Sequence, residues 1–178
     1  MKAFRELTQH ALQLQQPSVR KQEYELRADN ELVGTLHWPK ALDPLCVVET
    51  AAGAWTFNRQ GFFNRRATAR VRGSEQDVLV YTPTWTGTNG TIEHSDGRKF
   101  TFQGANWLGN HFTLVQKPTP EEDVELLAIK INFHILRGSA DVVTQPQLLQ
   151  TEDASLLALF SCYLATLASE DNITAAST

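Results

Sequence analysis

Two cysteines in 178 residues are too few, and too far apart, to staple a fold. Cys46 and Cys162 have no Cys-x-x-Cys spacing, so neither a disulfide framework nor a zinc site is indicated. Each sits in an apolar run, where a buried free thiol is expected. Excess positive charge is missing too: 16 Lys and Arg against 20 Asp and Glu give a formal net charge of −4. Affinity for nucleic acid comes mainly from neutralising phosphates, so no nucleic-acid partner is expected beyond what a local basic patch would hold. The stretch from Met1 to Gln16 carries charges and glutamines and lacks a continuous apolar core. It does not read as a secretory signal, and a cytoplasmic location is expected.

Catalytic signatures are equally scarce. No G-x-S-x-G elbow occurs, and Cys46 and Cys162 lie in apolar settings that raise a thiol pKa and make it inert. No G-x-x-x-x-G-K-[ST] loop or G-x-G-x-x-G turn offers a phosphate cradle. The five histidines, His10, His37, His94, His111 and His134, show no ligand spacing such as H-E-x-x-H. A metal site built from several strands would draw on His94, Asp96 and His111, but hydrogen-bonded histidines are the simpler expectation. The sequence therefore calls for no cofactor and no metal, and it leans away from an enzyme.

What is present is a globular composition, 42% hydrophobic and 20% charged. A chain of this length folds as one domain, residues 1–178, and buries roughly 70% of its unfolded surface. From about Gln22 to Gln145 apolar and polar residues alternate in short runs separated by Gly, Asn and Asp, the pattern of antiparallel hairpins. Leu127, Ile129, Ile131, Phe133 and Ile135 share one face of the clearest strand, with Lys130, Asn132 and His134 on the other. Tyr24–Leu26, Val33–Trp38, Cys46–Thr50, Trp55–Phe57, Val78–Tyr81, Phe100–Phe102 and Phe112–Val115 read as further strands. Ala11–Gln15 is either a first strand or part of a short amphipathic helix. Asn89-Gly90 and Asp96-Gly97 suit tight hairpin turns, because both dipeptides tolerate positive φ. Strands this short fit a barrel or a sandwich, and no repeat of solenoid or propeller length is visible.

The C-terminal segment differs in kind. Thr151 or Asp153 can cap a helix whose body, Ala154 to Ala168, holds no charge. A helix apolar on every side must be surrounded by protein or lipid. This one rises about 22 Å, short of the roughly 30 Å core of a bilayer, and only acidic residues flank it. The expectation is a buried helix over 153–168, a polar tail over 170–178 and no transmembrane segment.

The order of these pieces resembles the tubby C-terminal-like superfamily, which includes tubby proteins, phospholipid scramblases and the plant LURP-one-related proteins. The resemblance covers about Tyr24 to Ala168. It rests on the segments Tyr24 to Gly34, Gly53 to Gly61 and Gly90 to Phe100, followed by the apolar helix. It implies a mainly β fold: a closed antiparallel barrel of about twelve strands around the buried hydrophobic C-terminal helix. Functions in that superfamily range from phosphoinositide binding to proposed lipid scrambling. The tubby phosphoinositide-binding lysines have no counterparts that can be aligned here, and the cysteine-rich palmitoylation segment of scramblases is missing.

One constellation is a candidate for binding. On a strand, Arg66, Thr68, Arg70 and Arg72 share one side, with Ala67, Ala69 and Val71 on the other. Three guanidiniums in a row can grip phosphates or carboxylates. Cross-strand pairing with Glu or Asp is the plainer use of them. Trp85 and Trp107 lie near loops, either as an exposed rim or, more commonly, as caps on the barrel end. Three functions stay open: a non-enzymatic binding or scaffold module; a peripheral protein on anionic, phosphoinositide-type lipid; and an enzyme with a site on the barrel rim. The partners expected are an anionic lipid headgroup or another protein.

Overall fold

The computed structural model describes residues 1–7, 11–18, 21–40, 43–61, 66–85, 89–104, 110–119, 121–133 and 138–176. Twelve strands follow one another: β1 (Ala11–Gln15), β2 (Glu23–Ala28), β3 (Glu31–His37), β4 (Leu45–Thr50), β5 (Gly53–Gln60), β6 (Arg66–Val71), β7 (Asp77–Pro83), β8 (Gly90–His94), β9 (Lys99–Gly104), β10 (His111–Thr119), β11 (Glu122–Phe133) and β12 (Gly138–Thr144). A one-turn helix, α1 (Pro146–Leu149), and a long one, α2 (Ala154–Ala176), complete the chain. Every strand pairs antiparallel with its sequence neighbours, and β1 also pairs with β12, so the sheet closes. Closure removes the free edges on which other chains would pair.

The mainly β, closed twelve-stranded barrel around an apolar helix is the architecture expected. β1 settles the choice left open for Ala11–Gln15. Its alternation of exposed and buried residues turns Leu12 and Leu14 inward, so the barrel begins at Ala11 rather than at Gln22. Phe4–Glu6 forms a separate 3₁₀ turn.

Because the strands alternate in direction, their connections divide between two ends. The turns after β2, β4, β6, β8 and β10 and the run from β12 into α2 lie at one end, here the proximal end. β1, β3, β5, β7, β9 and β11 finish at the distal end. α2 enters proximally and leaves distally.

A barrel of twelve strands encloses a space that side chains from its own wall cannot fill. α2 fills it. Every residue from Ala154 to Thr166 is buried, and the helix meets the wall on several sides. Phe57 packs edge-on against Phe160 with centroids 5.1 Å apart, and Trp38 stacks on Tyr163 at 5.9 Å. At Gly34 the wall comes so close that an added Cβ would sit 2.7 Å from Leu159 Cδ1. Three hydroxyls of this apolar helix are satisfied within it: Ser161, Thr166 and Ser169 donate to the carbonyls of Leu157, Cys162 and Ala165 at 2.8–3.0 Å. Each fully buried Leu or Phe stabilises by about 1.5–3 kcal/mol, so α2 is core rather than appendage.

Three expectations change. The helix does not stop at Ala168, and the expected polar tail is helical as far as Ala176. Asn89-Gly90 is not a two-residue turn. Gly90 is the first residue of β8, opposite Pro83 and Phe102, and what it supplies is room: a Cβ there would run into the Tyr81 ring and lie 2.6 Å from Thr82 O. The strand expected from Leu127 begins at Glu122, and a shift of its register with β10 between Leu114 and Val115 leaves Leu126 and Leu127 both buried. Ile135 and His134 lie outside the described residues.

Candidate functional site

A set of charged groups gathers at the proximal end, where the β8–β9 turn meets the start of α2. Gly97, at φ 93°, lets the chain reverse there. Asp96 Oδ1 accepts the main-chain N–H of Arg98 at 3.0 Å, and Asp96 Oδ2 accepts Arg98 Nε at 2.7 Å. Arg98 then reaches across the barrel mouth to donate from Nη2 to Asp153 Oδ2 at 2.5 Å. His94 stands beside them with 9% of its side chain exposed. Its Nδ1 is 2.9 Å from Asp96 Oδ1, and its Nε2 is 3.4 Å from Asp153 Oδ2. The main-chain N–H of Arg98, followed by its guanidinium and by His94, holds the Asp96 carboxyl down at about 2.

One ligand atom each from His94, Asp96 and Asp153 lies within 4.8 Å of the others. Residue type and spacing suit a divalent cation, but the cation position is already filled: the Arg98 guanidinium bridges the two aspartates. A metal would have to displace it, and the arrangement serves as a clasp between wall and helix, with His94 Nε2 buried and without a hydrogen bond among the described residues. His111, grouped in the sequence with His94 and Asp96, opens β10 and so belongs to the opposite end of the barrel. His10 and His134 lie outside the described residues.

The arginine row runs the height of β6, from Arg66 at the distal end to Arg72 beyond its proximal end. Two members are paired across strands. Arg70 Nε donates to Asp77 at 2.6 Å, and Arg72 Nη1 donates to Glu49 at 3.0 Å. Arg66 is exposed and has no carboxylate partner among the described residues. Ala67 and Ala69 face the core, as strand parity requires, but Val71 is 49% exposed. A register shift between Ala69 and Arg70 ends the inward run. Thr68, between Arg66 and Arg70, is buried, and its Oγ1 has no hydrogen bond. Directly across on β5, Asn58 Oδ1 is likewise buried and unbonded. The sequence shows the row; it does not show these two orphaned oxygens, which depend on which residue of β5 faces Thr68.

Trp85 is fully exposed just beyond the distal end of β7, so it is not the barrel cap its residue type suggests. Trp107 lies outside the described residues. Both thiols are buried: Cys162 is pushed up to about 12 by burial, and Cys46 is pushed still higher for the same reason. No helix among the described residues is long and apolar enough to cross a membrane.

Cavities flank the helix at both ends. One of about 200 Å³ lies distally among Leu14, Tyr24, Ile131, Ser139 and Glu170. Burial, then the neighbouring Asp171, raises the carboxyl of Glu170, while burial takes Tyr24 up to about 12. Another, about 310 Å³, lies proximally between the N-terminal segment, the β4–β5 turn and the first turn of α2. No family model matches this chain, and neither a curated protein nor a solved structure does.

Proposed function

We propose that the chain is a non-enzymatic binding or scaffold module of tubby-like fold, placed in the cytoplasm, that meets its partners on its outer wall and at its two ends. The observation that supports this reading is the filled interior. A barrel that carries an apolar cargo keeps a cavity for it, whereas here Ala154 to Thr166 take up that space. The charged groups described at the proximal mouth engage one another, the arrangement of a clasp rather than of a poised acid–base pair. Thermal unfolding in the presence of retinol, an apolar cargo without a carboxylate, tests this. No stabilisation is expected, and a saturable rise in the unfolding midpoint that disappears when Leu159 is enlarged to Phe would make the protein a carrier.

A second reading, a peripheral protein on anionic lipid, has its own support at the distal end. Arg66 is exposed there with no carboxylate partner among the described residues, and Trp85 stands in solvent at the same end. A guanidinium for phosphate together with an amphipathic aromatic suits a headgroup region. Co-sedimentation at low salt with vesicles of phosphatidylcholine, with and without phosphatidylserine or a phosphoinositide, separates the two readings. The lipid reading predicts binding to the anionic vesicles that drops at least about threefold in both Arg66→Gln and Trp85→Ala. Binding unchanged by either substitution removes these residues from it.

A further inference from the structure

The sequence offers two residues to cap α2, and the structure uses neither side chain for that purpose. Thr151 Oγ1 donates backward to Leu148 O at 2.8 Å, and the Asp153 carboxylate is turned outward to Arg98. The main chain still opens the helix: Leu157 N–H donates to Asp153 O at 2.9 Å, and Ala154 N–H to Thr151 O at 3.4 Å. The amides of Ser155 and Leu156 between them find no acceptor among the described residues. These are the N–H groups that an N-cap side chain normally serves, and they carry the positive end of the helix dipole.

A second observation falls at the same place. Ser155 is 4% exposed, and its hydroxyl makes no hydrogen bond among the described residues. The other three serine and threonine hydroxyls within the buried part of the helix donate to the carbonyl four residues back. Ser155 instead lines the 310 Å³ proximal cavity. Its other walls are the Phe4 ring, Val33, Ala51 and Ala52, with Lys2 and Glu152 also on the lining. Lys2 Nζ donates to Glu31 at 2.6 Å, and both residues remain accessible to solvent.

We propose that this cavity binds a small monocarboxylic acid, its carboxylate accepting the Ser155 amide and hydroxyl at the open start of α2 with Lys2 on the same lining, and its short apolar body lying against Phe4, Val33 and Ala52. A helix N-terminus with open N–H groups is a ready anion site. The apolar walls select an acid with a hydrocarbon part over a bare inorganic anion. Glu152 on the same lining disfavours a second negative charge, which selects a monoanion over phosphate. The Lys2 ammonium is charged through the neutral range like any lysine, and its hydrogen bond to Glu31 raises its pKa further.

Amide NMR of the full chain, titrated in parallel with sodium octanoate and with sodium phosphate, tests this. Octanoate is expected to shift the Ser155 and Leu156 amides saturably, with phosphate much weaker at the same two positions. Ser155→Ala should weaken octanoate binding by about three- to tenfold, the loss of one hydrogen bond to a charged group. Lys2→Met, on an accessible side chain whose loss does not threaten the fold, should also weaken it and serves as the control should Ser155→Ala unfold. The proposal is overturned if neither amide responds to octanoate, if phosphate displaces octanoate as the preferred ligand, or if Lys2→Met and Ser155→Ala both bind octanoate as tightly as the parent chain.

Discussion

The two ends of the barrel hold the central helix by different means. At the proximal end the grip is electrostatic: Arg98 reaches over the rim to Asp153, with Asp96 and the buried His94 steadying it. At the distal end it is aromatic. Tyr163 packs among Trp38, Phe57 and Phe160, and charge enters near the end of the helix, where Arg59 Nη2 donates to Asp171 at 2.8 Å. Acid should act oppositely on the two ends, since Asp96 is held below its ordinary range and Glu170 is raised above its own. Between them lies a stretch that depends on neither device and holds by packing alone. Ionic contacts that are partly exposed contribute little each, whereas buried apolar volume does not fade with salt or pH.

The largest effect should therefore come from the middle. Leu159→Asp loses about 2–5 kcal/mol of packing and adds the cost of burying an unpaired carboxylate. Together these match the 5–15 kcal/mol total stability of a typical domain. The variant is expected to show no cooperative unfolding transition by circular dichroism; a folded Leu159→Asp protein would mean that the helix can leave the barrel.

Two glycines compare the wall with the wall–helix contact. Gly90→Ala sets a methyl against the Tyr81 ring and Thr82 O, and a main-chain oxygen paired in the sheet cannot step aside. Gly34→Ala meets chiefly the tip of Leu159, which can change rotamer. Urea titrations should show Gly90→Ala losing about 2–3 kcal/mol and Gly34→Ala about 1 kcal/mol. The reverse order would show the helix more tightly fixed than the sheet around it.

The proximal clasp should give a smaller effect with a pH signature. The Asp96 pKa is lower folded than unfolded, so its contribution is fully present above about pH 4 and lost as pH falls toward about 2. Arg98→Met should lower stability at pH 7 by about 1 kcal/mol and flatten the decline between about pH 4 and 2. Thermal unfolding of both proteins across that range checks it. Parallel curves would mean that the guanidinium contributes nothing to the shift.

The sequence carries most of this architecture, and its gaps have physical causes. Alternation in a half-buried strand and the absence of any polar face on α2 are local patterns, and they made the barrel and its core legible. β1 was ambiguous because five residues with two leucines fit both a strand and a helical turn, and only pairing with β12 and β2 decides. The helix runs past Ala168 because polarity does not end a helix. Glu170 and Asp171 are acceptable helical residues once the helix has reached the distal end. The site was less legible. Arg70 and Arg72 paired as any cross-strand charges would. The Arg98–Asp153 contact, by contrast, joins residues 55 positions apart and needs the helix threaded before it exists. The uncapped amides were hidden by sequence that looks well capped: Thr151 and Asp153 are suitable residues in suitable places, diverted by partners that only the fold supplies.

Hydrogen exchange of the native chain tests the central claim most directly. If α2 is the core of the barrel, the amides from Leu157 to Ala165 open only with the whole molecule. Their opening free energies should then equal those of the best-protected amides in β5 and β11, and all should fall together as urea is added. Helix amides that exchange with a distinctly lower opening free energy, while the strands keep theirs, would contradict it: the barrel would stand without its helix.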